Sequence, residues 1–298
     1  FISSQCRGIS KINGLISEDI DATIYGLKKL GIKILKLKKN QFKVYGNGIA
    51  GFKNLKTSIN CGNSGSSARF FLGLLASCPC SITIDGDKSL RKRPMHRVTK
   101  HLESLGANFY SKNKKNKLPL KINGSNFPLS QKHSLEIPSA QVKTAILFSS
   151  LNTPGITEII EKNDTRDHTE ILLKKVGANI KVKKIKTKKI IEISGHQEMP
   201  SFNLSVPSDP SSACFFIIQT LLAKNSSLLI KNVCINKTRF GFIEILKRMN
   251  ANIKILNRKK VFGENTADIY VKSSNLRGVV CNEKIIPRTI DELPAIFI

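Results

Sequence analysis

The sequence of 298 residues contains no tryptophan and only four tyrosines. Flat aromatic platforms for stacking nucleotide bases are therefore scarce. No uninterrupted apolar run approaches the ~18 residues that a membrane-spanning helix needs, so a soluble protein with no membrane association is expected. The opening residues, FISSQCRGIS, lack a basic stretch followed by an apolar one, and no secretory signal is expected in them. The cysteines number seven, an odd count, and only Cys78 and Cys80 lie close together. That scatter favours neither a disulfide framework nor zinc-ligand spacing, and a reducing, cytoplasmic setting is expected. Acidic residues are also few. The 21 Asp and Glu stand against 49 Lys and Arg, for a formal net charge of +28.

Such an excess suits either a nucleic-acid partner or a solvated lysine surface. Much of the charge lies in clusters at residues 38–40, 112–117, 183–189 and 258–260. Each cluster interrupts a stretch of alternating apolar residues, the pattern of a hairpin tip. Lysines at such tips are solvated and keep strand edges from pairing. No nucleic-acid partner is expected, although a basic nucleic-acid-binding module stays open as an alternative. An apolar fraction of 40% and a length near two domains' worth leave ample core to bury.

The chain repeats itself. Leu30-Gly31, Leu105-Gly106 and Val176-Gly177 each lead into a further apolar segment, and Met249-Asn250 is a weaker fourth copy. Ser67-Ala68, Ser139-Ala140 and Ser212-Ala213 recur at spacings of 72 and 73. Arg93, Arg166 and Arg239 recur at 73 and 73. Three markers in phase define one unit of about 72 residues. Each unit reads as a polar turn opening an apolar helix, a strand, an arginine-bearing turn, an amphipathic helix and two strands. The expected fold is α/β, built from repeated βαβαββ units. The phase places the start of the first helix before residue 1, and residues 290–294 read as the next helix start. Residues 1–206 are expected to form a first domain of three units, the first truncated, and 207–298 the beginning of a second. A piece of a longer chain is expected.

Helix starts attract anions, because they present unpaired N–H groups and partial positive charge. Gly62-Asn63-Ser64-Gly65-Ser66 enters a helix through glycines that permit close approach of a phosphate or carboxylate, or it is simply a cap. Ser139-Ala140-Gln141 has the same two readings. Arg93 precedes Pro94, and Arg166 lies in the polar turn Asp164-Thr165-Arg166-Asp167-His168. One arginine and one helix start returning per unit imply a ligand with several negative charges. His168 alone does not make a metal site, and no metal is expected.

These segments resemble the enolpyruvyl transferases. Besides the glycine turn, the resemblance rests on Gly86-Asp87-Lys88-Ser89-Leu90-Arg91-Lys92-Arg93-Pro94-Met95, Ser139-Ala140-Gln141-Val142-Lys143 and Thr165-Arg166-Asp167-His168-Thr169-Glu170. Asp209-Pro210-Ser211-Ser212-Ala213, Asn236-Lys237-Thr238-Arg239 and Ile290-Asp291-Glu292-Leu293-Pro294 narrow it to the 5-enolpyruvylshikimate-3-phosphate (EPSP) synthase family. The resemblance implies two domains of three βαβαββ units each. It also implies transfer of a carboxyvinyl group from phosphoenolpyruvate to the 5-hydroxyl of shikimate 3-phosphate, with no metal or organic cofactor and a monomeric enzyme. Asp291 is implied as the proton acceptor and a shikimate 3-phosphate ligand. Ser139, Ala140, Gln141 and Arg166 match further shikimate 3-phosphate positions, and Gly65, Arg93 and Gln141 match phosphoenolpyruvate positions. A plain helix N-cap is the other reading of Asp291. The sister family, UDP-N-acetylglucosamine enolpyruvyl transferase, carries a cysteine where Lys88 stands here, which argues against that activity. The family's Lys-Ser-x-x-x-Arg motif would precede Phe1, and its Lys-Glu-Ser-Asp-Arg segment would follow Ile298. A non-catalytic remnant that binds anions is the remaining alternative.

Overall fold

The computed structural model describes residues 1–38, 40–111, 116–186 and 188–298. The chain divides into two compact units, residues 1–164 with 173–204, and residues 165–172 with 205–298. The first unit opens with α1 (Ile2–Gln5), β1 (Arg7–Asn13), α2 (Glu18–Lys29), β2 (Lys33–Lys38) and β3 (Gln41–Asn47). A full repeat follows: β4 (Ser58–Asn60), α3 (Gly65–Ala76), β5 (Ser81–Asp85), a short α4 (Lys88–Lys92), α5 (His96–Glu103), β6 (Asn108–Ser111) and β7 (Leu120–Asn123). The next comprises β8 (Lys132–Leu135), α6 (Ala140–Ser150), β9 (Ile156–Glu161), α7 (His168–Lys175), β10 (Ile180–Ile185) and β11 (Lys188–Ser194), after which comes β12 (Asn203–Ser205). The boundary between the units falls within α7.

Two of the four-stranded sheets have one topology, β4-β5-β7-β6 and β8-β9-β11-β10, and in each the first pair is parallel and the others antiparallel. The opening repeat builds the same order as β12-β1-β3-β2, so β12 fills its first-strand slot. The βαβαββ pattern read from the period is therefore the unit of the fold.

Local chemistry explains why these helices start and stop in phase. Ser64 caps α3 by accepting from Ser67 N–H at 3.1 Å, and Ser139 caps α6 by accepting from Val142 N–H at 3.4 Å. The second helices are followed by Gly31, Gly106 and Gly177, at φ +86°, +108° and +92°, the left-handed stop that suits glycine. Helices α3 and α6 are buried on nearly every side, so their apolar residues are spread around the helix rather than confined to a stripe. Their crossing is tight. A Cβ on Gly73 would lie 2.3 Å from the Ala145 carbonyl oxygen.

The second unit continues with α8 (Pro210–Leu222), β13 (Ser227–Cys234), α9 (Gly241–Arg248), β14 (Asn252–Val261) and β15 (Glu264–Lys272). A 3-10 turn (Glu283–Arg288) and α10 (Leu293–Ile296) complete it. Asp209 caps α8 by accepting from Ser212 N–H at 2.9 Å, in phase with the caps of α3 and α6. Its core joins Ile217 and Leu221 of α8 to Phe242 and Leu246 of α9, Ile269 and Val271 of β15, and Ala295 of α10.

One basic cluster sits differently from the expectation. Residues 258–260 lie within β14, and the hairpin turns at Phe262-Gly263, with φ of +49° and +93°. A two-residue hairpin needs two left-handed residues, and the neighbouring lysines cannot supply the glycine. The 183–189 cluster does bracket a hairpin tip, with Lys183 and Lys184 in β10 and Lys188 and Lys189 in β11, while residues 39, 112–115 and 187 lie outside the described residues. Among the described residues no helix is long and apolar enough to cross a membrane.

Candidate active site

In the first unit the turn between β4 and α3 is held from two sides. Gly62 N–H donates to Asn60 Oδ1 at 2.9 Å, and Gly62 carbonyl accepts from Asp87 N–H at 2.8 Å. Asp87 caps α4 by accepting from Leu90 N–H at 2.7 Å, and its other oxygen accepts from Asn63 Nδ2 at 2.7 Å. Those backbone and amide bonds hold the Asp87 carboxyl below its ordinary pKa. Arg93 follows α4 as its C-cap and donates through Nη2 to Asn63 Oδ1 at 3.1 Å. Asn63 thereby links the turn to the arginine.

Gln141, on the first turn of α6, donates to Ser66 Oγ at 2.8 Å. Its carbonyl accepts from Arg69 Nη1 at 3.0 Å, and the same Nη1 donates to the Gly65 carbonyl at 3.1 Å. Arg69 therefore fixes which face of the Gln141 amide is turned outward. Burial lowers the Arg69 pKa, and the positive charges of Arg97 and Arg93 lower it further. Among the described residues no acidic side chain is hydrogen-bonded to Arg69 or Arg93, so an arriving anion would relieve that crowding. A Cβ at residue 65 would approach Arg69 Nη1 to 2.7 Å and Arg93 Nη1 to 3.2 Å, so only glycine leaves both guanidinium groups in place. Together Asn63, Gly65, Ser66, Arg93 and Gln141 form one wall of an open cleft of about 470 Å³, with Ser17, Glu18 and Asp19 at the start of α2 as the other.

In the second unit Arg166 pairs directly with Asp291, with both side chains partly exposed. Asp291 is not a helix cap, because α10 starts after Glu292. Asp167 accepts from Asn236 Nδ2 at 2.8 Å, and Arg239 donates to Asp209 Oδ1 at 2.8 Å and Ser211 Oγ at 2.7 Å. His168 Nδ1 lies 2.5 Å from Glu264 Oε1.

The EPSP synthase (3-phosphoshikimate 1-carboxyvinyltransferase) family model matches residues 4–298. The chain belongs to the EPSP synthase family. It is 40% identical to the 3-phosphoshikimate 1-carboxyvinyltransferase of Zymomonas mobilis, spanning all of this chain and 66% of that one. The enzyme of that name from Caldicellulosiruptor bescii is 41% identical, again over the whole chain and 68% of the relative. The solved EPSP synthase of Acinetobacter baumannii superposes with a TM-score of 0.88 at 35% identity, covering 99% of this chain and 66% of that one. The chain thus spans about two thirds of the length of these relatives.

Of the residues singled out by sequence, Gly65, Arg93 and Gln141 meet in one cleft, and Ser139 and Ala140 open the helix that carries Gln141. Arg166 and Asp291 meet in the second unit. Sequence reading passed over Arg69, which lies four residues beyond Gly65. That helical spacing, one turn along the same face, was the signal available.

Proposed function

We propose that the protein carrying this chain transfers the carboxyvinyl group of phosphoenolpyruvate to the 5-hydroxyl of shikimate 3-phosphate and releases phosphate, a step of aromatic amino-acid biosynthesis. The observation that carries the reading is the cleft at Gly65, where Arg93, the Gln141 amide and the entrance to α3 converge and, among the described residues, no carboxylate is bonded to Arg69 or Arg93. In this reading Gly65, Arg93 and Gln141 hold phosphoenolpyruvate. Ser139, Ala140, Gln141, Arg166 and Asp291 hold shikimate 3-phosphate.

The chemistry asks for a proton on the methylene carbon of phosphoenolpyruvate and addition of the 5-hydroxyl to C2. The resulting tetrahedral adduct then loses a methyl proton and phosphate together, restoring the double bond. Asp291 acts as the proton acceptor, with Arg166 paired beside it. The arginines stabilise the charge on the departing phosphate. The sequence requires no metal or organic cofactor. In this reading residues 1–206, apart from the segment 165–172 that groups with the second unit, constitute one domain and 207–298 the beginning of the other. The protein works as a cytoplasmic monomer on small anionic substrates and uses no nucleic acid.

Sister chemistry on UDP-N-acetylglucosamine is disfavoured, because Lys88 opens α4 where that family has its cysteine. The buried thiols of this repeat are also poor acids. Burial pushes Cys61 and Cys78 up to about 12 and Cys80 up to about 11. The test offers phosphoenolpyruvate with each acceptor in turn and follows phosphate release. Release with shikimate 3-phosphate and none with UDP-N-acetylglucosamine is expected; the reverse, or silence with both, overturns the reading.

A further inference from the structure

The chain holds a second cluster of reactive groups that the transfer reaction does not use. His168 at the start of α7, Cys234 at the end of β13 and Glu264 at the start of β15 each offer one ligand atom, and these atoms lie within 4.8 Å of one another. They are far apart in sequence, by 96 residues from His168 to Glu264 and 30 from Cys234 to Glu264, so spacing motifs give no sign of them. All three belong to the second unit. We propose that they form a binding site for a soft divalent cation, Zn²⁺, with the fourth position open to water.

Several observations support this. The three groups supply imidazole, thiolate and carboxylate, the donor set of zinc rather than of calcium or magnesium, which take oxygen alone. Donor atoms around a tetrahedral zinc ion lie roughly 3–4 Å apart, so the widest pair needs to close by about 1 Å while His168 Nδ1 and Glu264 Oε1, 2.5 Å apart, separate by about as much. His168 Nε2 is shut away from solvent and has no hydrogen-bond partner, while Nδ1 faces Glu264. The carboxylate is also oriented from behind. Asn236 Nδ2 donates to Glu264 Oε2 at 3.1 Å, and the Asn236 carbonyl is fixed by Thr238 N–H at 2.9 Å and Thr238 hydroxyl at 2.7 Å. Supports of that kind typically change metal affinity by about 10- to 100-fold. Asp167 adds negative charge nearby, and the opposing charge of Arg239 is already engaged by Asp209. His168 is about a third exposed, which leaves a route in. A bound ion would tie α7 to β13 and β15, two residues beyond Arg166.

The test uses the intact protein that carries this chain, freed of metal by a chelator and titrated with Zn²⁺ against a chromophoric indicator, with Co²⁺ as an absorbing stand-in. The site predicts one equivalent bound, a thiolate-to-Co²⁺ charge-transfer band and a higher melting temperature with Zn²⁺. Cys234→Ser should abolish the band and weaken binding at least about 100-fold, whereas Cys281→Ser, at the one exposed cysteine, should change neither. Glu264→Gln, which keeps the shape and the contact with His168, should weaken Zn²⁺ binding while the metal-free melting temperature stays near that of the parent. Binding that survives Cys234→Ser, or that follows Cys281 instead, overturns the site.

Discussion

In the proposed reading a single side chain, Arg93, selects phosphoenolpyruvate for the cleft. Arg93 is exposed and meets Asn63 through one guanidinium nitrogen, leaving its fork available to an anion. A charge-assisted, two-pronged bond of this kind contributes about 1.5–3 kcal/mol, and lysine cannot reproduce the fork. Arg93→Lys in the active protein should therefore raise the KM for phosphoenolpyruvate by about 10- to 100-fold and leave that for shikimate 3-phosphate nearly unchanged. Steady-state kinetics with each substrate varied in turn decides this, and equal losses for both would remove Arg93 from the phosphoenolpyruvate site. Sequence alone picked out Arg93, because it recurs with the period. It did not reveal Arg69, whose role comes from a bond to Gln141 on another helix, 72 residues away. Nor did it reveal that Arg166 and Asp291 touch, since a separation of 125 residues leaves no local pattern.

Among the elements, α3 and α6 carry the two helix starts that build the cleft, and their packing sets its geometry. Gly73 lies where the helices come closest, and a methyl group there would run into the Ala145 backbone. Backbone cannot move aside as a flexible side chain can, so Gly73→Ala should cost about 2–3 kcal/mol despite the better helix propensity of alanine. Urea unfolding of the two proteins measures it; a stabilised variant would mean that the helices sit further apart than described. The same unit holds a histidine pair, His101 of α5 and His133 of β8, with ring centroids 5.4 Å apart. Burial depresses both to about 4 from 6.5; Lys100 adds to the shift at His101, and His101 adds to it at His133. The folded state thus holds these rings neutral at pH values where the unfolded chain protonates them. Their contribution is complete above pH 6.5 and is lost as the pH falls towards 4. His133→Phe should flatten the fall in urea midpoint over that window, by about 2 kcal/mol at its acid end. An unchanged acid limb would assign the loss to other groups.

For the molecule as a whole, the repeat was the most legible feature. Serines, arginines and glycines in phase reported the caps, turns and helix stops that every unit needs, and so the βαβαββ order could be read before any contact was known. The sheet order could not, because β12 joins β1 through pairing between distant segments, and no residue in either strand advertises its partner. The expectation that charge clusters mark hairpin tips failed at β14 for a local reason, namely that the turn itself demands left-handed residues. The site was legible where the period carried it and obscure where only three-dimensional packing did.

The central claim is that an anion-binding cleft serves carboxyvinyl transfer rather than phosphoryl transfer, and the two differ in which bond of phosphoenolpyruvate breaks. Addition at C2 followed by loss of phosphate breaks the carbon–oxygen bond, whereas phosphoryl transfer or hydrolysis at phosphorus breaks the phosphorus–oxygen bond. The most direct measurement uses phosphoenolpyruvate with heavy oxygen in the bridging position, together with shikimate 3-phosphate, and locates the label by mass spectrometry. The label is predicted to leave with inorganic phosphate as the carboxyvinyl ether of shikimate 3-phosphate accumulates. Label retained in pyruvate, with shikimate 3-phosphate unaltered, would contradict the account.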